Sequence, residues 1–237
     1  MYAGYKIAKR HRISANYIYS DISRKGENRL NLKNNDPFRS PNTLNKTVVG
    51  LGYETHFFKQ KLENVASLKY YDFDILTRNA ILFEQNNFEI NDITTSQQHI
   101  GYALSSRYFI RPEWYIKASY EKGYRIPQPT DIFGDGLRVL ANPNLAPETS
   151  HNLNAGMTYR LSGSKWSLKN EINLFQRDVD NFIFIQQSGV FSEYENVLNV
   201  LIKGIEFDIQ YAREKFSVSG NLTWQEVINN QKYISGT

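Results

Sequence analysis

The strongest constraint on the fold is a two-residue alternation of apolar and polar side chains that recurs in long segments. Over residues 114–124, Trp114, Ile116, Ala118 and Tyr120 fall on one face, and Tyr115, Lys117, Ser119 and Glu121 on the other. Over 149–160, Leu153, Ala155, Met157 and Tyr159 alternate with Asn152, Asn154, Thr158 and Arg160. The same pattern holds for Trp166, Leu168, Ile172 and Leu174, for Ile205, Phe207, Ile209 and Tyr211, and for Phe216, Val218, Leu222 and Trp224. A period of two puts successive side chains on opposite faces of an extended chain, so each segment reads as a β-strand. Weaker alternation covers 12–20, 47–57, 62–70 and 97–109, and a short strand fits residues 2–8. Good helix formers do not cluster. The chain is therefore all-β, with about ten strands, most of about 9 to 13 residues.

Such strands are long, since ordinary ones have about 5–6 residues. A strand of ~12 residues spans about 40 Å; tilted by about 40° it rises roughly 30 Å, enough to cross an apolar band of about 25 Å. The connections alternate too. Short turns fall at 10–11, 58–60, 110–112, 161–164 and 213–215, and long polar connections at 23–46, 76–96, 125–148 and 179–199. All seven prolines, Pro37, Pro41, Pro112, Pro127, Pro129, Pro143 and Pro147, lie in these connections, as a hydrogen-bonded ladder requires. Short turns at one end and long loops at the other mark an antiparallel up-and-down transmembrane β-barrel. A polar face of Ser, Asn, Gly, Thr and Gln suits a wet lumen. Trp114 and Trp166 follow short turns, where an aromatic girdle belongs. The competing reading is a soluble sandwich or lipocalin-like barrel, because alternation does not say which face meets lipid. The spacing carries no sequence repeat, which disfavours a propeller or solenoid.

Composition narrows the function classes. The 237 residues carry 28 basic and 24 acidic side chains, a net charge of +4. The basic residues are scattered, without the stripe that nucleic acid needs. Mean hydropathy is −0.54, and no apolar run reaches the ~18 residues of a membrane helix. That excludes helical membrane proteins but not barrels, whose alternating strands average to a polar value. Cysteine is absent, which excludes a disulfide scaffold, a Cys-ligated zinc and a thiolate nucleophile. His11, His56, His99 and His151 are far apart in sequence, the first in a turn and the others in strands. Surface or lumen roles fit them better than metal ligation. There is no nucleophile elbow. Gly134-Asp135-Gly136 is a turn signal too short for a calcium loop. Asp72 and Asp74 read as a hydrated carboxylate pair near a strand end. No catalytic residue, metal site or cofactor is predicted. The start, Met1-Tyr2-Ala3-Gly4-Tyr5, is no signal peptide.

One connection stands apart. Residues 123–150 read GYRIPQPTDIFGDGLRVLANPNLAPETS, with four Pro and three Gly. These enforce a defined irregular path. Asn142-Pro143 starts a turn, and Pro147 holds Ala146 extended just before the next strand. On residues alone this is a structured corner feeding a strand.

The stretch resembles the β-barrel of TonB-dependent outer-membrane receptors. The carrying residues are Tyr124-Arg125-Ile126-Pro127, Phe133-Gly134-Asp135, and Asn142-Pro143-Asn144-Leu145-Ala146-Pro147-Glu148-Thr149-Ser150. Downstream, Asn173 to Arg177, Asp180 to Ile183, Tyr194-Glu195-Asn196 and Lys203-Gly204-Ile205-Glu206-Phe207 continue the likeness. The ordered set over 120–211 carries it, with a Bacteroidetes-like flavour. The resemblance implies a barrel of 22 strands around an N-terminal plug. It implies import of scarce bulky ligands (siderophore, haem, cobalamin, glycan or peptide) driven by the inner-membrane TonB–ExbB–ExbD complex, with outer-membrane lipids around the barrel. A surface lipoprotein is a possible further partner; nucleic acid is not one. Plug, TonB box and terminal aromatic strand are not found, so residues 1–237 read as an internal barrel piece of a longer receptor. Ligand contacts are expected at Arg125, Asp131, Arg138 and Tyr194. Tyr124, Arg125, Pro127, Phe133, Gly134, Asn142, Pro143, Leu145, Pro147, Glu148, Gly204 and Glu206 are expected to shape the structure. The readings from other classes are a ten-stranded outer-membrane protease or lipase, for which His151 is the candidate, and a passive porin or adhesin.

Overall fold

A computed structural model describes residues 1–8, 10–25, 42–84, 87–135 and 138–229. The strands are β1 (Tyr2–Ala8), β2 (His11–Arg24), β3 (Asn42–Phe57), β4 (Leu62–Glu84), β5 (Asn87–Arg111) and β6 (Trp114–Arg125). After a short helix α1 (Pro129–Phe133) and a two-residue strand β7 (Val139–Leu140) come β8 (Glu148–Ser162), β9 (Trp166–Ser188), β10 (Phe191–Arg213) and β11 (Phe216–Asn229). They form one sheet in the order β1-β2-β3-β4-β5-β6-β8-β9-β10-β11, each strand antiparallel to the next in sequence along that path. Among the described residues the sheet does not close, and β1 and β11 are its edges.

Register turns the alternation into two continuous faces. Ile13, Tyr53, Ala66, Leu104, Tyr120 and Leu153 lie opposite one another across six strands. Ile116, Met157, Ile172, Phe207 and Leu222 form a second such row. Apart from the half-buried Tyr120 these side chains are solvent-exposed, Leu153 at 55% and Leu222 at 70%. A broad exposed apolar face on a sheet needs an apolar partner, and for barrel strands that partner is lipid. The opposite face carries Lys117, Gly156, Asn173, Glu206 and Thr223 in one row. Trp114 and Trp166 open β6 and β9 directly after tight turns, and Trp114 packs edge-on to Tyr159 at 5.1 Å.

Two expected loops are strands. Residues 76–96 lie mostly in β4 and β5, and 179–199 mostly in β9 and β10, so these four strands run 23, 25, 23 and 23 residues. At ~3.3 Å per residue each is about 75 Å long, far beyond the apolar band. Above that band the outer face meets water rather than lipid, so the apolar period fades while the hydrogen-bond ladder continues. Composition there resembles a loop although Pro is absent and Gly189 is the sole glycine. The connection at 23–46 shortens as well, since β2 reaches Arg24 and β3 starts at Asn42; Pro37 and Pro41 lie outside the described residues. His11 begins β2 rather than sitting in a turn, and its Nδ1 meets the Tyr53 hydroxyl at 2.8 Å. Asp72 and Asp74 sit mid-strand in β4, opposite in facing to the buried Tyr71, Phe73 and Ile75.

Gly204 and Glu206 lie within β10, away from the irregular connection with which the sequence grouped them. At Gly204 an added Cβ would stand 2.3 Å from the Trp224 carbonyl oxygen and 2.6 Å from the Phe175 ring. Gly204→Val is therefore expected to overpack the β9–β10–β11 seam at roughly 1–3 kcal/mol. A lower urea midpoint for the refolded full-length receptor checks it; an unchanged midpoint would rule the close approach out.

Candidate functional site

The described residues between β6 and β8 do not loop outward. They form a strap laid against the inner face of the wall. Ile126-Pro127 ends the β6 ladder, because proline has no N–H to donate. Pro129 opens α1, where a fixed φ suits the first turn. Asp131 Oδ2 accepts the Gln128 N–H at 2.9 Å. Gly134 then turns with φ 64°, and a Cβ there would be 2.2 Å from the Val139 carbonyl oxygen, so only glycine fits. Asp135 Oδ1 accepts the N–H groups of Arg138 and Val139, both at 2.8 Å. This directs β7 onto β10 in parallel, Val139 opposite Ser192.

One flank of the strap is apolar. Ile126, Ile132 and Phe133 pack with Leu44, Tyr71, Phe73 and Ile75 from the inner wall, and Ile22, Val48 and Tyr124 close around them. Burying three such strap side chains stabilises docking by about 1.5–3 kcal/mol each. Arg24 of β2 reaches across and donates from Nη1 to the carbonyls of Phe133 (3.3 Å) and Gly134. The other flank is polar. Asn142 Nδ2 donates to the Tyr194 carbonyl at 2.8 Å. Asn196 accepts the Ala146 N–H at 2.8 Å and donates Nδ2 to the carbonyls of Ala146 (3.0 Å) and Asn181 (2.7 Å).

Glu148 ties the exit of the strap to its entrance. Its Oε1 accepts Arg125 Nη2 at 2.7 Å and the Ile183 N–H at 2.8 Å. The carboxylate is 2% exposed, whereas the Arg125 side chain is 41% exposed. Asp131, also buried, stands 3.7 Å from Arg125 Nη1. One cation thus serves two buried carboxylates while keeping one side to solvent. Below lies a concave region of about 490 Å³, lined by Lys69, Tyr71, Glu121, Arg125, Asn152 and Arg177 among others. Tyr124 stacks on His99 at 4.6 Å and meets Tyr71 edge-on at 5.7 Å. Lower on the same face Lys69 pairs with Glu121 at 3.4 Å, Lys169 with Glu171 at 2.9 Å, Lys117 with Glu171 and Arg107 with Glu63. Aromatic rings and paired charges thus line this face together. Among the described residues no three His, Asp or Glu side chains are grouped to hold a metal.

The structure brings most of the sequence candidates together. Tyr124, Arg125, Pro127, Phe133, Gly134, Asn142, Pro143, Leu145, Pro147 and Glu148 all lie in the strap or at its two ends. Of the expected ligand contacts, Arg125 and Asp131 belong to the internal ion group. Arg138 is exposed, and Tyr194 is half-buried with its carbonyl held by Asn142. The sequence reading missed Arg24 and the inward apolar wall of Leu44, Tyr71, Phe73 and Ile75. An apolar triplet at period two, 71-73-75, is their only local trace.

An antiparallel sheet that is apolar outside and polar inside, with tight turns at one end and tall hairpins at the other, is a wall section of an outer-membrane β-barrel. The chain belongs to the family described as TonB dependent receptor-like, beta-barrel, which matches residues 3–237. Its place is accordingly the Gram-negative outer membrane. It is similar to the heme/hemopexin utilization protein C of Haemophilus influenzae, 24% identical over 211 residues, covering 76% of this chain and 28% of that protein. In fold it is similar to the hemophore receptor HasR of Serratia marcescens, TM-score 0.69 and 16% identity over 96% of this chain and 40% of that one. The copper transporter OprC gives TM-score 0.73 and 14% identity over 97% and 38%. The FrpB iron transporter of Neisseria meningitidis gives 0.68 and 13% over 95% and 34%. The chain thus spans less than half the length of each of these proteins.

Proposed function

We propose that the chain is part of the cargo-passage barrel of a receptor that imports a scarce, bulky ligand across the outer membrane with energy supplied through TonB. The observation that carries this reading is the strap. A segment folded inside the wall, above a lining of aromatic rings and paired charges, suits a gated polar passage. Membership of the TonB-dependent receptor barrels supports the energy source. In this reading the wall is completed to 22 strands by chain beyond these residues, and a plug domain outside 1–237 fills it and reaches TonB–ExbB–ExbD. The names of the relatives, given for haem, iron and copper, favour a metal-bearing cargo over a glycan or peptide. A surface lipoprotein would serve the glycan alternative. Arg138 and Tyr194 are the proposed ligand contacts, with Arg125 and Asp131 positioning the strap between them.

The test uses the full-length receptor in its own outer membrane. Deleting it should abolish uptake of radiolabelled haem, a ferric catecholate or copper ion, and uncoupling the proton gradient should abolish the same uptake. Accumulation that survives uncoupling would point to a passive pore instead. Loss of none of the probes would exclude the metal-bearing class.

A further inference from the structure

We infer that the described residues of the connection, 126–135 and 138–147, form a stationary strap: it holds its place while cargo passes, and its exposed side, carrying Gln128, Arg138 and Asn144, is a fixed selectivity lip. This inference rests on the import reading for the word cargo, but not for the immobility of the strap.

Segments that open and close come from the weakly anchored end of a structure, with few buried contacts and solvated backbone hydrogen bonds. This segment has neither property. Ile132 is 0% exposed and Phe133 6%, and their neighbours Leu44, Phe73 and Ile75 are as deeply buried; Leu145, elsewhere in the strap, is 1% exposed. Lifting the strap would open that cluster to water. It would also strip the Asn196 amide of both bonds to Ala146 and the Tyr194 carbonyl of its Asn142 donor. The anchors are spread over three places on the sheet: β2–β4 through the apolar cluster and Arg24, the β10 edge through β7, and the β9–β10 hairpin through Asn196. A hinge at any one of them leaves the other two intact. Packed cores switch between discrete states rather than stretch, and no second seat for the strap is evident among the described residues. What faces open space is mostly polar: Gln128, Thr130, Asp135, Arg138 and Asn144 are exposed beside Leu140 and Ala141, whereas Ile126, Pro127, Ile132 and Pro147 are buried. Cargo passing beside the strap meets hydrogen-bonding groups that do not move.

The test is a disulfide across the β7–β10 pairing, Val139→Cys with Ser192→Cys, in the full-length receptor with any cysteine elsewhere replaced by serine. These two are register partners on neighbouring strands, within the Cα separation a disulfide accepts. Mild oxidation of whole cells should form the bond to the same yield with or without haem, and with TonB energised or uncoupled. Haem uptake should be the same before and after oxidation. A yield that falls on energisation or with haem would overturn the inference. So would uptake that drops about tenfold on oxidation and returns with reductant, the mark of a blocked gating motion. Each single-cysteine variant must reach the membrane. If they do and the pair still fails to bond, the strap is not docked and the inference fails. A wild-type receptor that takes up no haem would remove haem as cargo, while the cross-link yield would still decide whether the strap moves.

Discussion

Replacing Glu148 by alanine in the full-length receptor is expected to loosen the two ends of the strap and destabilise the upper wall by about 3 kcal/mol, the low end of the 3–5 kcal/mol seen when one partner of a buried pair is removed. The low end applies because Arg125 is partly solvated and recovers water when its partner goes. The Ile183 N–H has no such recourse; deep in the wall it loses its acceptor, a loss of about 1–3 kcal/mol that is included in that figure. Glu148→Gln separates the two effects. It keeps an oxygen for Ile183 but removes the charge that Arg125 needs, so its midpoint should fall between those of the wild type and Glu148→Ala. The measurement is the urea midpoint of the receptor refolded into lipid vesicles, with limited proteolysis of 126–147 as the local readout. A variant Glu148→Ala with wild-type midpoint and no new cleavage would mean that the ion group is incidental and that the apolar flank alone seats the strap.

That contrast also explains what could be read from the residues alone. The alternation of Leu153, Ala155, Met157 and Tyr159 was legible because one face meets lipid and the other water, so the sequence records the difference. Above the apolar band the outer face no longer meets lipid, and β4, β5, β9 and β10 continue on backbone hydrogen bonds that polar residues can make as well as apolar ones. Hence 76–96 and 179–199 read as loops. The strap was legible as an irregular path because proline and glycine set its backbone locally. Where it goes was not legible, because its seat is made by distant residues. Arg24 is far in sequence from Phe133 and Gly134 and meets them by donating to their two carbonyls. Asn196 was visible as part of Tyr194-Glu195-Asn196, but its clasp on Ala146 is a tertiary fact. The helix α1, five residues long, is too short for a helical period to show.

The second large effect tests which face meets lipid. Ile172→Arg is expected to lower the stability of the vesicle-refolded receptor by about 2–4 kcal/mol, the penalty for arginine on the lipid face near mid-bilayer. Ile172 is central in an outward row, flanked across the ladder by Met157 and Phe207, so the guanidinium would find only side chains that cannot pair with it. Asn173→Arg, one residue on, should cost under about 1 kcal/mol, since a substitution on the lumen side is hydrated. There the new cation lies opposite Glu206 across the ladder. Two adjacent positions in the same strand share backbone, depth and propensity, so subtraction leaves the facing alone. Equal losses at both positions would mean that the wall has lipid on neither side. Reversed losses would place the strap on the outer surface, where its packing against Leu44, Phe73 and Ile75 could not line a passage. The expected order, with 172 worse than 173, is the one arrangement in which the apolar rows face the membrane and Glu148, Asn196 and the rings of Tyr71 and Tyr124 stand over the route of the cargo.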